Sequence, residues 1–102
     1  MSEIQKPSVG RIVHYVIAID HGGKPVVQPA IVVQCWPGYG DALGVNLQVF
    51  LDGGNVDRSR YPSDGNWMAP SAEECAKGLA WRTSALHDPN KAAGTWHWPE
   101  RA

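Results

Sequence analysis

Apolar residues along this chain come in short runs punctuated by glycine, proline and aspartate, the pattern of strands joined by turns. Met1–Ser8 is polar with one proline and is expected to form a loose N-terminal arm. Ile12-Val13-His14-Tyr15-Val16-Ile17, rich in β-branched and aromatic residues, predicts a first strand. Asp20-His21-Gly22-Gly23-Lys24-Pro25 predicts a turn. A second strand is expected from Ala30 to Trp36, where Ile31, Val32 and Val33 make a continuous apolar run, and Pro37-Gly38-Tyr39-Gly40-Asp41 breaks it. Val45 to Leu51 alternates cleanly, with Val45, Leu47, Val49 and Leu51 on one face, as a half-buried antiparallel strand does.

Residues 52–70 read as a long loop, polar and turn-rich from Val56 to Pro70. Loops of this length inside compact domains are often functional or mobile. Ser71-Ala72-Glu73-Glu74 has the form of a capping box, and Gly78 is placed to end the helix after about two turns. Leu79 to Leu86 predicts a fourth strand, with Leu79, Trp81, Thr83 and Ala85 on one face. Gly94-Thr95-Trp96-His97-Trp98 predicts a fifth, stopped by Pro99. The expected fold is mainly β: a small antiparallel SH3-like barrel of about five strands, with one short helix before the fourth strand. Closure also removes exposed sheet edges. An open sheet with the helix lying across it is the alternative.

Length and composition narrow the class. The chain has 102 residues, so 1–102 is read as a single domain, long enough for one compact core. A formal net charge of −1 argues against bulk nucleic-acid binding through phosphate neutralisation. Neither a membrane span nor a secretory signal is expected from the apolar runs. The two cysteines, Cys35 and Cys75, make neither a disulfide framework nor a four-cysteine zinc site, and both are expected to be reduced and buried.

Catalytic patterns are weak. The four histidines, His14, His21, His87 and His97, include no pair at helical i, i+4 spacing and no cysteine or carboxylate at a ligand offset. His14 and His97 fall on the first and last strands, which neighbour each other in many small barrels, so a shared site is open to them. The missing ligand pattern favours histidines that hydrogen-bond backbone or cover apolar surface, and no metal or cofactor is predicted. Ser84, His87 and Asp88 have the residue types of a catalytic triad but crowd one strand end, a poor geometry for one. Gly22-Gly23-Lys24 and Gly53-Gly54-Asn55 are hairpin chemistry and open no helix that could bind phosphate. The expectation is that the protein is not an enzyme.

The aromatic residues carry the stronger signal. Five tryptophans are many for so small a chain. Trp81, Trp96 and Trp98 are expected to fill the core, or at least two of them. Trp36, Tyr39, Tyr61 and Trp67 fall at strand ends or in loops, with Arg58 and Arg60 close by in sequence. Rings beside arginine are common at protein interfaces and also stack bases, so these six residues form the candidate binding set.

Gly10-Arg11-Ile12-Val13-His14-Tyr15-Val16, then Pro29-Ala30-Ile31-Val32, and finally Gly94-Thr95-Trp96-His97-Trp98-Pro99-Glu100 give the chain a resemblance. It resembles a family of small uncharacterised proteins of tailed bacteriophages and prophages. The match covers the first and last strands well and the second and third loosely, while the middle from about Asp52 to Gly78 has no counterpart. The resemblance implies a phage or prophage source and a place in the bacterial host cytoplasm or the virion, and it carries over no catalytic residues. The expected function is a non-enzymatic binding module that meets a protein partner, or its own copies as a homo-oligomer, through the aromatic loops. A virion component (minor capsid, decoration or tail-associated) and a trap for a small nucleotide ligand, held by an aromatic ring and Arg58 or Arg60, are the alternatives.

Overall fold

A computed structural model describes residues 7–36, 44–52 and 69–99. Five strands, β1 (Ile12–Ile19), β2 (Pro25–Trp36), β3 (Gly44–Phe50), β4 (Leu79–His87) and β5 (Thr95–His97), close into a barrel in chain order, with α1 (Ala72–Lys77) just before β4. This is the small barrel expected from the sequence. Its first three pairings are antiparallel, β5 returns antiparallel to β1, and β4 meets β5 in parallel. That parallel contact follows from the strand count. When an odd number of strands closes into a ring, directions cannot alternate all the way round.

Val13, Tyr15, Ile17, Val32, Val45, Leu47, Val49, Ala80, Ala85 and Trp96 fill the interior, each at most 2% exposed. Burying these side chains is the main favourable term for a domain of this size. The alternation read in β3 holds for Val45, Leu47 and Val49. Trp96 is wholly buried, and Trp98 packs against the core with its ring at right angles to that of Trp96, centroids 5.1 Å apart.

β2 begins at Pro25, earlier than the apolar run suggested. Pairing with β3 starts only at Ala30, so the first residues of β2 ladder with β1 alone. Pro25 and Pro29 are tolerated there because one side of the strand carries no ladder. The preceding turn is tied by the Asp20 carboxylate, which accepts from the amides of Gly22 and Lys24, both at 2.9 Å.

β4 differs from its predicted facing. Ala80 and Ala85 point inward, whereas Leu79 and Trp81 point out. The cause is a bulge: Val45 faces Ala85 and Leu47 faces Arg82, so β4 holds one extra residue opposite Asn46. Ser84 lies in the bulge with φ of 56°. One added residue reverses the in–out parity, so no single face can run from Leu79 to Ala85.

Helix α1 keeps its predicted caps. The Ser71 side chain accepts from the Glu74 amide, the Glu74 carboxylate accepts from the Ser71 amide, and Gly78 ends the helix at φ 75°. Cys75 is buried and unbridged. Cys35, expected inside, is only half-buried, its Sγ 3.6 Å from the Pro7 carbonyl. The β2 bulge between Val32 and Gln34 loosens the facing there.

Candidate functional site

Of the six residues in the candidate binding set, Trp36 is described; Tyr39, Arg58, Arg60, Tyr61 and Trp67 lie outside the described residues. Trp36 ends β2 partly exposed, and its indole N–H donates to Asn46 Oδ1 at 2.8 Å. The same oxygen accepts from the Thr83 hydroxyl and the Ser84 amide, both at 2.9 Å. Asn46, 8% exposed, therefore holds the end of β2 to the bulge of β4. The fixed indole offers its remaining surface as a rigid contact.

Strand register builds a second surface that the sequence reading did not find. Ile12 pairs with Ile31, Ile31 with Gln48, and Gln48 with Trp81, which makes one row across four strands. Partners across a ladder share a face, and this row faces outward. Phe50 pairs with Leu79 in the neighbouring row. Trp81 is 53% exposed, Ile12 52%, Leu79 42% and Phe50 40%, so this side of the sheet presents large apolar groups to solvent. The signal available in the sequence was Ala80 between two larger apolar residues. A small residue suits the narrow interior, which leaves Leu79 and Trp81 outside.

A third arrangement joins helix and barrel. The Arg82 guanidinium makes a two-pronged ion pair with the Glu74 carboxylate, at 2.7 and 3.1 Å. Hydrogen bonding from Arg82 holds the Glu74 carboxyl below its ordinary pKa, against the opposing effect of burial, and the Ser71 amide adds to the lowering. Burial raises the pKa of Tyr15, with the positive charge of Arg82 acting against it. These groups fix α1 across one part of the barrel.

His14 and His97 do meet. They are direct partners across β1 and β5, with ring centroids 5.8 Å apart and planes at 88°. Both stand on the outer face, since Tyr15 and Trp96, the adjacent pair, point inward. Among the described residues no group of three or more histidine, cysteine or acidic side chains is placed to hold a metal. Nor is any described helix long and apolar enough to cross a membrane. His87 packs on Trp96, centroids 4.7 Å apart, while Ser84 belongs to the bulge.

No protein-family model matches the chain, and no curated protein or solved structure gives a significant match.

Proposed function

We propose that this protein is a non-catalytic binding module that docks another protein surface through the outer face of β1–β4, in the first place the same face of a second copy. The observation that carries the reading is the row Ile12–Ile31–Gln48–Trp81 with the pair Phe50–Leu79 beside it. Large apolar groups clustered on one face of a small, nearly neutral domain lose contact with water when they meet a similar face. Aromatic residues at the centre of such patches supply most of the binding energy. The fixed indole of Trp36, from the candidate binding set, supports the same role. The resemblance to small phage proteins extends the proposal to its setting, the bacterial host cytoplasm or the virion.

Sedimentation of the wild-type chain and Trp81→Glu tests this. The wild type is expected to associate with rising concentration and the variant to remain a monomer. Trp81 is exposed in the single chain, so the unfolding free energy of the variant is expected to stay within about 0.5 kcal/mol of wild type. A wild type that is monomeric at its highest soluble concentration overturns the reading.

A further inference from the structure

We propose that the cleft framed by His14, Val27, Lys91 and His97 is a binding site for a small oxyanion of the phosphate class. The cleft has a volume of about 350 Å³, within the range of small-molecule sites. His14 comes from β1, His97 from β5, and Lys91 from the connection between β4 and β5. Nitrogen-bearing residues from three parts of the chain thus line one cleft. That arrangement matches a group with three or more oxygens better than a carboxylate with two.

The connection is built to hold Lys91 in place. Its backbone has φ of 65°, a left-handed conformation in which glycine is free and lysine is disfavoured. The Asp88 carboxylate accepts from the amides of Asn90 and Ala92, and the Lys91 amide donates to the Asp88 carbonyl. The Gly94 amide, donating to the Val16 carbonyl at 2.8 Å, ties the segment to β1. A disfavoured conformation kept by so many bonds is a device seen where a side chain is used. His97 is 5% exposed and held edge-on to His14, so the cleft wall is preorganised as well.

Two imidazoles alone would also suit a divalent metal ion. Lys91 lines the same cleft and adds a cationic residue to it, which favours an anion instead. The space exceeds that of a bare phosphate, and Val27 with the imidazole faces leaves room for the organic part of an ester.

The test follows the imidazole NMR signals of His14 and His97 during titration with inorganic phosphate, and separately with glycerol phosphate, at constant ionic strength. A saturable shift of both signals is expected. Lys91→Gly suits the backbone and so keeps the fold, and it is expected to weaken binding by about tenfold or more, the loss of one charge-assisted hydrogen bond. Lys91→Arg is expected to retain binding. Tighter binding of glycerol phosphate identifies an ester as the ligand, and equal affinity identifies phosphate itself. The proposal is overturned by the absence of a saturable shift, by an equal response to sodium chloride, or by a Lys91→Gly variant that binds like wild type. A response to zinc without one to phosphate overturns it in favour of a metal.

Discussion

Asn46 gathers three donors on one carbonyl oxygen: the Trp36 indole, the Thr83 hydroxyl and the Ser84 amide. Replacing it with leucine keeps the bulk and removes the acceptor, stranding the partly buried donors. Asn46→Leu is expected to cost about 2–4 kcal/mol, read as a lower midpoint in urea unfolding. Ser84 beside it has a positive φ, so Ser84→Val is expected to destabilise by about 1–3 kcal/mol while Ser84→Gly is tolerated. At this scale the sequence was partly legible. The caps Ser71, Glu74 and Gly78 were readable because each acts on amides or carbonyls within a few residues. Asn46 was not, because its donors at Thr83 and Ser84 lie 37 and 38 residues away along the chain, and only the β3–β4 register brings them together.

Among the elements, α1 is too short to persist alone and depends on its caps and on the tie to β4. Glu74 serves both, capping through Ser71 and pairing with Arg82. Its pKa is lowered by folding, so the folded chain binds this proton less readily than the unfolded one. The contribution is therefore fully present above the unfolded carboxylate pKa and lost as pH falls through the folded value. Glu74→Gln keeps the cap and removes the charge. Wild type is expected to exceed it by on the order of 1 kcal/mol near neutral pH, with the gap closing on acidification; a gap independent of pH contradicts the ion-pair account. Element existence was legible from apolar runs and turn residues, including the short helix. The facing of β4 was not, since a period of two cannot reveal an inserted residue whose partner lies on another strand. That lost parity hid the outer face and made Trp81 look like core.

At the scale of the whole molecule, Trp96 is the largest fully buried side chain among the described residues, and it sits on the shortest of the described strands. Trp96→Ala is expected to cost about 3–5 kcal/mol, a large share of the roughly 5–15 kcal/mol that holds a small domain together. Thermal unfolding by circular dichroism should show a much lower midpoint. The barrel itself was legible, because strand count and the late position of the helix left few architectures. The pairing of β1 with β5 carries a consequence for how the protein is made. Strands β1 to β4 follow one another in the chain, but His14 finds its partner only at His97, nearly the full described length away. A nascent chain on the ribosome can join β1 to β4 while its interior still lacks Trp96. Closure must wait until that final segment has emerged, so the native state arrives late and together rather than strand by strand.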